Sequence, residues 1–130
     1  MLRKTLAVVA MTGALVLTGT TAFAFGSKST ALSNGTLTVS ADNGCQVSGN
    51  CTLYYSATSY KKTGGSTVTI QLAMTTSDEM FLDTQKSIRA GQTLSHSWGG
   101  QRKSRVPDCT IAGYMRASTG NYYTPPLSVC

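Results

Sequence analysis

Thr67-Val68-Thr69-Ile70-Gln71-Leu72-Ala73-Met74-Thr75 decides the fold. Val68, Ile70, Leu72 and Met74 alternate with Thr67, Thr69, Gln71 and Ala73, the period of a strand that turns one face to a core and the other to water. A strand cannot satisfy its own backbone groups, so its neighbours in the chain are read as strands first. Upstream, Thr52 to Tyr60 sets Leu53, Tyr55 and Ala57 on one face and Tyr54, Ser56, Thr58 and Tyr60 on the other, and Gly64-Gly65 turns the chain. Thr36-Leu37-Thr38-Val39-Ser40 alternates in the same way between an Asn34-Gly35 turn and Asp42-Asn43-Gly44. Downstream, Met80-Phe81-Leu82 is a short apolar run. Ser87 to Thr93 reads as a strand passing through a glycine turn into Leu94-Ser95-His96-Ser97-Trp98, where Leu94, His96 and Trp98 share a face. Gly99 to Asp108 reads as a long polar, basic loop stopped by Pro107, and the chain closes with Cys109 to Ala117 and Asn121 to Cys130. Pro125-Pro126 donates no ladder hydrogen bonds, which puts the last strand at a sheet edge or breaks it there. About seven short strands without a helical period predict an all-β, antiparallel β-sandwich of immunoglobulin-like size over residues 35–130.

The N-terminus is of another kind. Arg3 and Lys4 precede an apolar run from Leu6 to Leu17, and Ala22-Phe23-Ala24 gives the small-x-small pattern of a signal-peptidase site, so residues 1–24 are read as a cleaved signal peptide. The run breaks at Thr18-Gly19-Thr20-Thr21, short of the roughly 20 apolar residues a membrane anchor needs. A secreted, extracellular product of 106 residues without a membrane span is the expectation, one domain in size. Removing Arg3 and Lys4 from the eleven basic residues leaves nine against five acidic ones, a net charge of +4 that favours anionic partners. Phe25 to Asn34, rich in Ser, Thr and Gly, reads as a flexible N-terminal arm.

All four cysteines follow the signal, and an even number in a short exported chain reads as two disulfides. Three pairings are possible. A two-residue loop at Thr119-Gly120 would set Ser118 opposite Asn121 and Cys109 opposite Cys130, at a non-hydrogen-bonded site where a bridge closes most easily. Cys45 then pairs with Cys51 across Gln46-Val47-Ser48-Gly49-Asn50. The unequal spacings and the single histidine argue against zinc.

Catalytic machinery is not legible. His96 would have to activate a serine, but there is no G-x-S-x-G elbow and Ser95 and Ser97 point away from it on a strand. Asp78, Glu79 and Asp83 read as solvated turn charges rather than a facing carboxylate pair. No phosphate loop or calcium loop appears, and no cofactor or metal is expected. What remains suits recognition. Arg102, Lys103 and Arg105 make a basic loop just after Trp98, without the stacking groove that nucleic acid would want. Among Tyr54, Tyr60, Tyr114, Tyr122 and Tyr123, the pair Tyr54 and Tyr60 is assigned to a wet sheet face, where tyrosine gives wide contact area with a polar tip. The candidate partner-binding residues are therefore Phe25 on the arm, Tyr54, Tyr60, Arg102, Lys103 and Arg105.

A signal followed by about one hundred residues, the late Cys109-Thr110-Ile111-Ala112-Gly113-Tyr114-Met115 and the closing Tyr123-Thr124-Pro125-Pro126 resemble the small secreted two-disulfide β-proteins of actinobacteria. Of similar architecture are the adaptor subunits of umbrella toxin particles, which link a lectin-bearing subunit to a toxin subunit. That resemblance implies a non-catalytic protein-interaction module acting as an adaptor in an extracellular complex, its partner another secreted protein, with the arm from Phe25 ordered by that partner. The rival readings are an inhibitor presenting Gln46 to Asn50 or Arg102 to Asp108 to a secreted hydrolase, and a cell-wall-binding or antimicrobial protein drawn to anionic polymers by its charge.

Overall fold

The computed structural model describes residues 25–130, and the expected signal peptide lies outside the described residues. Strands β1 (Gly26–Leu32), β2 (Gly35–Asn43), β3 (Leu53–Lys62) and β6 (Thr93–Arg102) form one antiparallel sheet in the order β1-β2-β3-β6. Strands β4 (Val68–Thr75), β5 (Met80–Ile88), β7 (Thr110–Ala117) and β8 (Gly120–Tyr123) form the other in the order β5-β4-β7-β8, and β9 (Leu127–Ser128) continues alongside β7. The sheets stack with β2 over β7, β3 over β4 and β6 over β5, a β-sandwich that carries two disulfides.

β4 sits between β5 and β7 and turns Ile70, Leu72 and Met74 inward, as its alternation dictates. The core divides into two clusters. Val39, Ala41, Tyr54, Met74, Val106, Ile111, Leu127 and Val129 make the first. Leu37, Tyr60, Ile70, Leu72, Ile88 and Met115 make the second. Buried Thr58 stitches the sheets together: its Oγ1 donates to the Ala73 carbonyl at 2.9 Å and accepts from Trp98 Nε1 at 3.1 Å. Gly113 makes the close approach possible, since a Cβ there would stand 3.0 Å from the Val39 Cβ.

Both disulfides are those expected, Cys45–Cys51 and Cys109–Cys130. The hairpin register behind the second differs. Ala117 pairs with Gly120 and Tyr114 with Tyr123, so the loop is Ser118-Thr119 rather than Thr119-Gly120. At Pro125-Pro126 the strand breaks as expected, and the ladder resumes in a shifted register with Thr110 opposite Ser128. Val129 N donates to the Cys109 carbonyl at 2.8 Å, and Cys130 comes within 5.2 Å of Cys109, Cα to Cα. Cys109 itself has φ of 60°, a left-handed conformation rare without glycine, held by the bridge and by its N–H bond to the Val106 carbonyl.

Four further expectations need correction. The arm is not flexible: residues 26–32 pair with β2 from Gly26 opposite Ala41 to Leu32 opposite Gly35. An edge strand needs ladder bonds more than apolar bulk, and the two large apolar residues present, Phe25 and Leu32, pin its ends to the first and second clusters. The phase of β3 is inverted, because Tyr54 and Tyr60 bury more area inside than Leu53 and Ala57 would. Met80 to Ile88 is one strand, bulged where the register shifts between Gln71 and Ala73, and the Gln71 side chain fills the broken ladder by donating to the Asp83 carbonyl at 2.8 Å. Finally, β6 runs on to Arg102 instead of ending in a loop at Gly99. Its register shifts opposite Tyr55 and Ala57, and Gly99, at φ 74°, supplies the left-handed residue a bulge requires.

Candidate functional site

The expected contact residues do not form one exposed patch. Tyr54 and Tyr60 are 0% and 4% exposed and belong to the two core clusters, so neither is a contact residue. The basic segment is a 3-10 turn (Lys103–Arg105), and two of its cations are already engaged. Lys103 Nζ donates to Asn43 Oδ1 at 3.1 Å and to the Cys51 carbonyl at 2.8 Å, and lies 5.3 Å from the Phe25 ring centroid. Arg105 is paired with Glu79. Arg102 stands exposed opposite Leu53 at the end of β6. Phe25 packs against the first cluster, to which Tyr54 belongs, and Lys103 lies beside the Phe25 ring.

The lone histidine, His96, sits beside Asp83. Its Nδ1 lies 3.4 Å from Asp83 Oδ1, its ring packs edge-on against Trp98 at 4.5 Å, and Ser95 and Ser97 occupy the other face of β6. Asp83 also accepts from Lys86 Nζ at 2.8 Å. That hydrogen bond, reinforced by the Thr84 backbone and by His96, outweighs desolvation and holds the Asp83 carboxyl below its ordinary range. Together these groups close the seam between edge strands β5 and β6. Among the described residues no group of three or more His, Cys, Asp or Glu is placed to hold a metal.

The two outer faces differ sharply. On the first sheet the ladder aligns Ser29, Thr38, Ser59 and Ser95 in one row across all four strands, and Ser27, Ser40, Ala57 and Ser97 in the next. Thr36 and Thr93 flank Lys61 in a third. All are small and hydroxylic but Ala57 and Lys61.

On the second sheet the pairings Leu82–Ala73, Ala73–Tyr114 and Tyr114–Tyr123 draw an apolar row across four strands. Met80 lies beside it, opposite Thr75. Leu82, Met80 and Tyr123 are 45%, 44% and 54% exposed, and with Val47 they are the exposed large hydrophobic residues among those described. Tyr123 stacks on Tyr114 with ring centroids 4.4 Å apart and planes inclined by 18°, which leaves Tyr114 buried beneath it. The Arg116 guanidinium lies 5.8 Å from the Tyr114 ring centroid and reaches Met80 Sδ at 3.8 Å, so its charge sits on the row rather than away from it.

No protein-family model, no curated protein and no solved structure matches this chain.

This outer row was only half visible in the sequence. Tyr114 and Tyr123 belong to the tyrosine set, but their shared face depends on the Ser118-Thr119 loop, which sets them directly opposite each other. Met80 and Leu82 alternate with Phe81, which packs against the first cluster, and that phase marks them as outward-facing once the strand is extended through Asp83.

Proposed function

We propose that this chain is an exported, non-catalytic interaction module that binds another protein through the outer face of its second sheet. The observation that carries the reading is the exposed set Leu82, Met80 and Tyr123, standing over buried Ala73 and Tyr114 with Arg116 among them, which includes residue types that anchor protein interfaces. A partner fitting it carries an apolar centre with a carboxylate to meet Arg116, in keeping with nine basic against five acidic residues after the expected signal. The disulfides and the absence, among the described residues, of a helix long and apolar enough to cross a membrane are compatible with work outside the cell. An adaptor role in an extracellular, toxin-like assembly needs a second contact besides this one, and the hydroxyl-rich outer face of the first sheet is the other broad surface.

Affinity capture from the producer's culture medium, with the tagged chain and its Tyr123→Asp and Leu82→Lys variants, tests the reading. A partner held by the parent and weakened about 30-fold or more by each variant is expected, the loss of a central anchor worth about 2 kcal/mol. Equal capture by all three, or recovery of nothing but the monomer, overturns it. Inhibition of a hydrolase is the second reading, and one observation favours it: Val47 projects into solvent from the end of a one-turn α-helix (Gly44–Val47), within the Cys45–Cys51 loop, an exposed apolar tip. Val47→Asp would abolish inhibition of a secreted protease or amylase in that case and leave partner capture intact.

A further inference from the structure

Lys62 closes the inner face of β3. It pairs with Gly35 at the end of the ladder, follows Tyr60 on the inward side, and is 1% exposed. The ion pairs among the described residues join Lys86 and His96 to Asp83 and Arg105 to Glu79, and Lys62 takes part in none of them. Lys103, by contrast, has both a side-chain and a backbone acceptor. Its charge therefore has no anionic partner among the described residues, and a bound group that supplied one would meet it there.

The surroundings of Lys62 indicate what that is. A cavity of about 170 Å³ opens at this end of the second cluster, lined by Lys62 together with Tyr60, Tyr122, Thr119 and Asn34 on its polar side. Thr119 and Tyr122 are already joined through their hydroxyls at 3.1 Å. Burial, with the neighbouring Tyr122 phenol, pushes the Tyr60 phenol up, which keeps it protonated as a donor. Ile70 and Met115 of the second cluster also line it, with Leu32, Val68 and Ala117. The lining therefore offers one cation, a set of neutral hydroxyl and amide groups, and aliphatic surface.

We infer that the Lys62 cavity binds the carboxylate of a small organic acid with an apolar body. One cation matches a single negative charge, and the hydroxyl and amide donors beside it match carboxylate lone pairs. A dianionic phosphate would bring a second charge with no cation to meet it. The volume sets the size, because a cavity of about 150 Å³ takes a benzene-sized molecule. The site is at the end of the sandwich, apart from the outer row of the second sheet, and its occupancy does not depend on a protein partner.

Benzoate is the probe, with benzamide and inorganic phosphate as controls. The folded, oxidised protein is titrated with each and followed by NMR, alongside Lys62→Met and the polar variant Lys62→Gln. Benzoate is expected to saturate with a Kd of about 1 mM or tighter and to move Tyr60 and Tyr122 resonances. Benzamide and phosphate should bind at least 10-fold more weakly, and both variants should lose the benzoate response. Thermal unfolding gives an independent reading: benzoate should raise the wild-type midpoint and leave that of Lys62→Met unchanged. Equal responses to benzoate and benzamide, preference for phosphate, undiminished binding by both variants, or no saturable wild-type binding overturns the inference.

Discussion

Replacing Tyr54 with phenylalanine removes one oxygen from the first core cluster and nothing else. The ring is wholly buried, and its hydroxyl has no hydrogen-bond partner among the described residues. A buried, unsatisfied hydroxyl costs about 1–3 kcal/mol, whereas the apolar area of the ring is the same in both residues. Tyr54→Phe should therefore stabilise the fold at neutral pH by about 1–2 kcal/mol, raising the thermal midpoint by roughly 4–8 °C per kcal/mol in a domain of this size. The alkaline limb carries a second signature. Burial, added to by the Glu79 charge and opposed by Arg105, pushes the Tyr54 phenol up to about 12. In the unfolded chain it ionises near its ordinary value of about 10. Between those values the unfolded state gains by deprotonation and the folded state does not. The contribution is thus fully present below pH 10 and is lost as pH rises toward 12, by about 1.4 kcal/mol per unit. Denaturant titrations of both proteins at pH 7 and at steps through the alkaline range measure this directly. The phenylalanine variant should lead at pH 7, and its lead should widen above pH 10. A less stable variant at pH 7 would mean that the hydroxyl is satisfied, and a constant difference up to pH 12 would mean that it ionises as freely folded as unfolded.

Thr58→Val should cost about 1–3 kcal/mol in chemical denaturation and shift Trp98 emission, because it strips the acceptor from the Trp98 N–H while keeping the shape of the side chain. Replacing Cys109 and Cys130 with serine should cost about 3 kcal/mol, and replacing Cys45 and Cys51 about 2, since the bridges span 21 and 6 residues and the longer loop loses more entropy on closure. Denaturant midpoints compare the two pairs. Asp83, held low by Lys86, contributes stability above the ordinary carboxylate range that disappears as pH falls through its depressed folded value. Asp83→Asn should flatten that acid limb, and Lys86→Met should raise the Asp83 pKa in a carboxyl NMR titration.

Much of this architecture is legible where a residue has only one sensible environment. The apolar alternation of β4 admits one inward face, Pro125-Pro126 must interrupt a ladder, and four cysteines at these spacings close two loops. The failures come where two environments compete. β3 carries large side chains on both faces, so its phase waits on what the opposing sheet needs to fill. β1 is a strand by virtue of its neighbour β2, and its own composition says only that it is polar. The bulges in β5 and β6 reset the alternation part-way along, which hides the outward pair Met80 and Leu82 and makes Gly99-Gly100 look like a loop. Lys103 and Arg105 read as free cations because their partners, Cys51 and Glu79, are remote in sequence. Lys62 lies beyond the strand read from Thr52 to Tyr60, and once Tyr60 is known to face inward the same two-residue period carries Lys62 into the lining of the cavity.

The serine and threonine rows on the first sheet bear on how the molecule would sit in a crowd. Hydroxyls on short side chains hold water without charge, so ionic strength has little purchase on those two rows, whereas Arg116 and the exposed apolar residues give the reverse face a response to both salt and detergent. The sandwich therefore has a front and a back. Anchored by its apolar side to a larger body, it would turn a hydrated, hydroxyl-rich face toward the second contact that an adaptor needs.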